Sequence, residues 1–184
     1  MDNDLPAGLF ELRRQLDEAR IFHRVGSLRE ESVLVEVRLS TSFWEIEFHS
    51  DGTVEYEVFR STGAILDGSA FTELVVQWWD RPLPKATLDR QLSELNVMRL
   101  LREAGIYFSA DEMLMRRVMV EGAVMIEVAV PGERWEIDVL ANGEIEVERF
   151  RSEVDVHDFD AEALRRLLAT AAEAAPHRRK GLRG

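Results

Sequence analysis

The sequence has no cysteine among its 184 residues. This excludes disulfide bonds, thiolate metal sites and a thiol nucleophile, and it fits a reducing compartment. No apolar run reaches the roughly 18 residues that would span a bilayer. The N-terminal stretch 1–6 lacks the basic and apolar segments of a signal peptide. We therefore expect a cytoplasmic protein with no membrane partner.

Positive charge is also scarce. The chain has 23 Lys and Arg against 35 Asp and Glu, which gives a formal net charge of −12. Nucleic-acid binding depends on Lys and Arg that neutralise phosphates, so the sequence predicts no nucleic-acid partner. The negative charge favours a basic protein partner, although it also serves solubility alone.

The motifs of common catalytic sites are missing as well. The chain has no Gly-rich phosphate loop, no GxSxG and no HExxH, and its four histidines are scattered. The acidic segment 155–160 is interpreted as a strand end followed by a helix N-cap rather than as a metal site. We predict no catalytic residue, no metal site and no cofactor, and therefore a protein that is not an enzyme.

What the sequence does contain is a repeated β-hairpin. In the stretch 43–60 two alternating runs flank Asp51-Gly52, a pair typical of a type I′ turn. The same pattern returns at 134–151 around Asn142-Gly143. This repetition predicts a tandem duplication.

The elements around each hairpin predict an α+β fold. Helical and alternating periodicities give the order α-β-β-β-α in each copy, with a three-stranded antiparallel sheet covered by helices. The two modules would pack as one pseudo-two-fold unit, in a monomer or homodimer, either by joined sheets or by shared helices, and the sequence does not choose between these two arrangements. We interpret 22–32 as a connector, and a stretch at 113–120 could add a strand. The predicted boundaries are a first repeat at 1–80, a proline-containing linker at 81–87, a second repeat at 88–176 and a basic tail at 177–184.

The outward positions of the two copies are acidic in both. Alternation explains polar residues there, but not why all are carboxylates, because like charges opposite each other across strands are unfavourable. These residues form a candidate docking face for a cationic partner. The matched pairs are Glu36 with Glu127, Glu45 with Glu136, Glu47 with Asp138, Glu55 with Glu146 and Glu57 with Glu148.

Two other interpretations of this face remain open. It could be neutralised by nearby arginines, namely Arg38, Arg60, Arg149 and Arg151. It could also line a metal site, although a flat sheet supplies converging oxygens poorly.

Aromatic residues offer a second kind of contact. Phe59 and Phe150 fall on the outward side of their strands, where each could be an exposed anchor or could be capped by a connector. Trp79 follows Trp78 in the second helix and has no counterpart in the second copy. It is a candidate for the interface between copies or for an exposed partner-binding residue.

The stretch 128–152, with Pro131-Gly132, Trp135 and Asn142-Gly143, resembles an acidic repeat of uncharacterised bacterial proteins. It is also similar to small acidic immunity proteins of polymorphic toxin systems. This resemblance implies a cytoplasmic protein that binds and blocks a toxin, often a basic nuclease, and it brings no catalytic residue with it. A secretion-type chaperone or assembly adaptor is the alternative, since such proteins are also small, acidic and α+β.

Overall fold

The structure is a computed structural model that describes residues 7–26, 32–78, 94–109, 123–153 and 156–174. It has an α+β fold in which antiparallel strands are covered by helices. The chain divides into two compact units. Unit 1 combines Met1–Arg60 with Ser152–Gly184, and unit 2 is the continuous segment Ser61–Arg151.

The described residues of unit 1 form four neighbouring strands and two helices. The strand order is β1-β2-β3-β4, and a short strand β9 also pairs with β4. The strands are β1 (His23–Gly26), β2 (Ser32–Arg38), β3 (Ser42–His49), the first part of β4 (Val54–Asp67) and β9 (His157–Asp158). The helices are α1 (Ala7–Glu18) and α4 (Ala161–Ala174).

Unit 2 contains the second part of β4 and the remaining elements. Its strand order is β4-β8-β7-β6-β5. The strands are β5 (Tyr107–Ser109), β6 (Ala123–Val130), β7 (Glu133–Leu140) and β8 (Ile145–Ser152). The helices are α2 (Gly68–Trp78) and α3 (Glu94–Glu103).

Both predicted hairpins are present, but their turn type differs from the prediction. His49 N donates to Thr53 O (2.9 Å) and Gly52 N donates to His49 O (3.1 Å). Gly52 has φ of 89°, whereas Asp51 does not have the positive φ that a type I′ turn requires. The loop is therefore a three-residue connection with glycine at the left-handed position. Leu140, Gly143 and Glu144 repeat the same hydrogen bonds.

The first hairpin loop is fixed by an aspartate. Asp51 Oδ1 accepts hydrogen bonds from Thr53 Oγ1 (2.6 Å) and Thr53 N (2.9 Å). These bonds, the hydroxyl first, hold the pKa of Asp51 below its ordinary value. Asn142 has the equivalent role in the second loop, where its Oδ1 accepts from Glu144 N at 2.9 Å.

Two hydrophobic cores fill the units, and each combines both sequence repeats. In unit 1, Leu9 and Leu16 of α1 and Leu167 of α4 pack with the buried side of β2–β4, including Trp44 and Ile46. The helix that follows the second hairpin thus covers the strands of the first copy.

The complementary exchange occurs in unit 2. Phe71 and Leu74 of α2 pack with Val97 and Leu101 of α3 against the buried side of β6–β8. The sequence leaves open whether the two copies join their sheets or share their helices, and these core contacts show that the helices are shared. The repeat boundaries at 80 and 88 therefore do not coincide with the boundaries of the compact units.

An arginine and three aromatic rings join α4 to the sheet of unit 1. Arg166 Nη2 donates to Tyr56 Oη at 3.0 Å, and its guanidinium carbon lies 5.1 Å from the ring centroid of Trp44. Trp44 and Tyr56 are stacked with centroids 5.4 Å apart, and Phe159 meets Tyr56 edge-on at 5.7 Å. Asp160 caps the helix by accepting from Glu162 N and Ala163 N, as the sequence predicts for this segment.

Several boundaries differ from the predictions. The predicted connector at 22–32 contains strand β1, so unit 1 has the four neighbouring strands β1 to β4 rather than three. Strand β4 continues through 61–63, where a break was predicted. Ala19, assigned to the apolar stripe of α1, lies exposed in the turn after that helix.

Other local predictions are confirmed. Gly105 ends α3 with φ of 69°, and the buried side of each strand follows the predicted alternation. Trp78 is partly buried against the core of unit 2. In the described parts of the chain, no helix has the length and apolar character needed to cross a membrane.

Candidate functional site

The register of unit 1 brings the predicted carboxylates into lines across the strands. Glu36 lies opposite Glu45, and Glu45 lies opposite Glu57. Glu47 lies opposite Glu55 in the neighbouring line. We call these five residues acidic face 1, because alternation places them all on the side of the sheet away from the core.

The lines are extended at both sides by charged residues. Arg24 of β1 lies opposite Glu36, and Asp158 of β9 lies opposite Glu55. Strand β9, which the sequence did not predict, thus adds a further carboxylate to the Glu47–Glu55 line.

Acidic face 1 is not an open sheet surface. Its five carboxylate residues are all half-buried. Leu34, Phe43 and Phe59 lie on the same side of the sheet, are buried and belong to neither core. Phe59 is 0% exposed and its counterpart Phe150 is 1% exposed, so neither is the exposed anchor that their outward positions allowed.

Polar side chains lie beside Glu47 and Glu55 of acidic face 1. Ser32 Oγ donates to Glu47 Oε1 at 2.6 Å. His49 Nε2 lies 3.3 Å from Glu55 Oε2 without hydrogen-bond geometry.

Unit 2 carries the matching arrangement. Glu127 lies opposite Glu136, Glu136 lies opposite Glu148, and Asp138 lies opposite Glu146. We call these five residues acidic face 2.

The exposure of these carboxylates differs along acidic face 2. Glu136 is only 5% exposed, whereas Glu146 is exposed. Glu148 accepts a hydrogen bond from Ser61 Oγ of β4. The accessible part of this face is therefore the end near the second hairpin loop.

Three of the four arginines proposed to neutralise these faces form ion pairs with glutamates outside the two faces. Arg60 pairs with Glu153, and both Arg149 and Arg151 pair with Glu133. Arg149 also lies over the ring of Trp135, with its guanidinium carbon 4.8 Å from the centroid. The guanidinium carbon of Arg38 lies 5.9 Å from the ring centroid of Phe43.

The acidic faces offer hydrogen-bond acceptors and negative potential rather than a chelating site. Across the described ranges, no group of three or more His, Asp or Glu side chains is placed to hold a metal ion. Carboxylates aligned in this way attract cationic side chains and accept charge-assisted hydrogen bonds from them. Trp79, the linker at 81–87, the stretch at 113–120 and the tail at 177–184 lie outside the described residues.

Unit 1 also has a cavity that sequence analysis missed. Its volume is about 350 Å³, and it lies between the end of α1, the β2–β3 connection and α4. Ile21, Phe22 and Leu39 contribute to its lining together with Arg20. No motif marks such a site, because its residues come from three separate segments.

One local signal does point to this cavity. Arg20 has φ of 56° and is the one described non-glycine residue with a positive φ. The hydrogen bond from Ile21 N to Leu16 O matches that from Ile106 N to Leu101 O, where the left-handed position is held by Gly105. An arginine occupies a position that normally favours glycine.

No protein family, curated protein or solved structure matches this chain.

Proposed function

We propose that this chain is a non-enzymatic protein-binding module that recognises a cationic partner through acidic faces 1 and 2. The observation that carries the proposal is the register of the strands. It aligns carboxylates across β2, β3 and β4 in unit 1 and across β6, β7 and β8 in unit 2. The matched positions further support an origin by duplication of one αβββα module.

The physical basis is electrostatic steering. Like charges aligned across strands destabilise a sheet by roughly a few tenths of a kcal/mol per pair, so the arrangement is unfavourable for folding alone. A partner that presents Lys or Arg would relieve this repulsion and form charge-assisted hydrogen bonds. Glu146, which is exposed, and Glu55, whose side chain is 44% exposed, would make the first contacts.

The concrete form of this function is an immunity-type inhibitor that acts in the cytoplasm. Such a protein would occupy the anion-binding cleft of a basic toxin or effector domain. The similarity of 128–152 to acidic immunity proteins supports this form. The partner would therefore be toxic when produced without this chain.

Exposed apolar side chains favour a second candidate, a secretion-type chaperone or assembly adaptor. Phe10 and Tyr107 are 58% and 65% exposed. Binding through such residues would change little with salt, whereas steering by carboxylates weakens as ionic strength rises.

The test begins with capture on the immobilised chain and identification of the bound protein by mass spectrometry. The purified partner is then titrated against the wild-type chain, the double variant Glu47→Lys/Glu55→Lys and the control Glu73→Lys/Glu103→Lys. Both variants change the net charge equally, but Glu73 and Glu103 are exposed on helices. We expect a basic partner and a loss of about tenfold or more in affinity for the first variant only.

The immunity function has its own readout. Expression of the partner alone should stop growth, and coexpression of this chain should restore it. An acidic or neutral partner, or equal losses for the two double variants, would overturn the docking function.

A further inference from the structure

We propose that the cavity of unit 1 binds a small amphipathic anion, with an aliphatic body inside the cavity and a carboxylate at Arg20. The site is separate from the acidic faces and independent of the protein-binding function. It lies at the C-terminal end of α1, where this helix meets α4.

The size and lining of the cavity fit the body of such a ligand. Its volume of about 350 Å³ is at the lower end of the range of small-molecule sites. Ile21, Phe22, Leu39 and Leu168 supply apolar walls, and Ala171 leaves room between them. An alkyl chain of moderate length is therefore the shape that the lining favours over a flat, polar ligand.

The charge of the lining is opposite to that of the chain. Ten residues line the cavity, of which two are arginines and none is Asp or Glu. Acidic residues outnumber basic ones by 35 to 23 in the whole sequence. The charged residues of this lining are therefore basic, which is compatible with an anionic head group.

Arg20 is the cation that the geometry assigns to the head group. Arg38 also contributes to the lining, but its guanidinium lies over Phe43 on the other side of the sheet. Arg20 is exposed and makes no ion pair within the described residues. Its guanidinium can therefore form the bidentate contact that matches a carboxylate.

The backbone at Arg20 supports a role beyond ending the helix. Gly105 ends α3 with the same hydrogen-bond pattern and without steric cost. Arg20 keeps a side chain at a position where glycine would be more favourable. A function for that side chain at the mouth of the cavity accounts for the difference between the two copies.

Octanoate and 1-octanol form a matched pair of probes, because they share an alkyl chain and differ in charge. Binding is measured by titration with amide chemical shifts in the full chain. We expect octanoate to shift the amides of Ile21 and Leu168 and to bind at least about tenfold more tightly than octanol. Arg20→Gly should lower the affinity for octanoate about tenfold and change the affinity for octanol by less than about twofold.

Arg20→Gly is expected to fold, because it introduces the residue found at the equivalent position of α3. Arg165→Met removes the same charge from the exposed side of α4 and should leave both affinities unchanged. The inference is wrong if octanoate does not bind at about 10 mM, if octanol binds equally well, or if Arg20→Gly behaves like Arg165→Met.

Discussion

The contact between α4 and the first sheet can be tested by replacing one arginine. Arg166→Met keeps most of the apolar stem but removes the guanidinium, which donates to Tyr56 Oη and lies over Trp44. The neighbouring Arg165 provides a matched control. It pairs with Glu162 and donates to Ala161 O on the same helix, and the side chains of Arg165 and Glu162 are both more than 70% exposed.

The expected loss follows from the contacts. A hydrogen bond from a charged donor contributes about 1.5–3 kcal/mol, and a cation–π contact at an exposed site about 0.5–1 kcal/mol. Because Arg166 is itself an exposed residue, we take the lower part of these ranges and expect Arg166→Met to lower the free energy of unfolding by about 2 kcal/mol. The exposed pair of Arg165 contributes about 0.5 kcal/mol or less.

The assay is urea unfolding at pH 7, followed by circular dichroism. Arg166→Met should lower the free energy of unfolding by about 2 kcal/mol, and Arg165→Met by no more than about 0.5 kcal/mol. A double-mutant cycle with Tyr56→Phe should give a coupling free energy of about 1 kcal/mol. Equal stabilities of the two arginine variants, or no coupling to Tyr56, would refute a stabilising contact of Arg166 with Tyr56 and Trp44.

Two further predictions concern the turns and the first helix. Gly52→Ala should lower the free energy of unfolding by about 1 kcal/mol, because Gly52 has a positive φ. Gly26 has neither a positive φ nor a close neighbour, so Gly26→Ala should lower the free energy of unfolding by less. Equal decreases for the two variants in urea unfolding would contradict this reasoning. Hydrogen bonds from Arg14 and then Gln15 hold the pKa of Glu11 at about 2, below its ordinary value of 4.5. The stabilisation by this carboxylate is therefore complete above pH 4.5 and lost as the pH falls toward 2, and Glu11→Gln should remove this part of the pH dependence; an NMR titration in which Glu11 has an ordinary pKa would show that the contact is absent.

Much of the local structure could be predicted because it depends on neighbouring residues. Strand alternation placed Val35, Trp44 and Ile46 in the core, and Asp160 and Gly105 marked helix ends. The turn type could not be inferred from Asp51-Gly52 alone. Both a two-residue and a three-residue loop place glycine at a positive φ, and they differ in whether the residue before glycine also has a positive φ.

The pairing of helices with sheets lay beyond what the sequence indicates. The apolar faces of α2 and α4 are suitable cover for either sheet, so periodicity does not choose between them. The acidic residues were correctly assigned to one side of each sheet, but Glu136 is buried and Glu146 exposed on the same face. The cavity was missed because its walls come from residues distant in the sequence.

The exchange of helices has a consequence for the order of folding during synthesis. Translation releases the N-terminal strands first, yet their cover includes α4, and Tyr56 and Arg166 are separated by 110 residues. All of unit 2 is synthesised before the segment that begins at residue 152, so unit 2 can form its core while the apolar side of the first sheet still lacks its second helix. The helix that follows unit 2 in the chain therefore completes the core around the strands that precede unit 2.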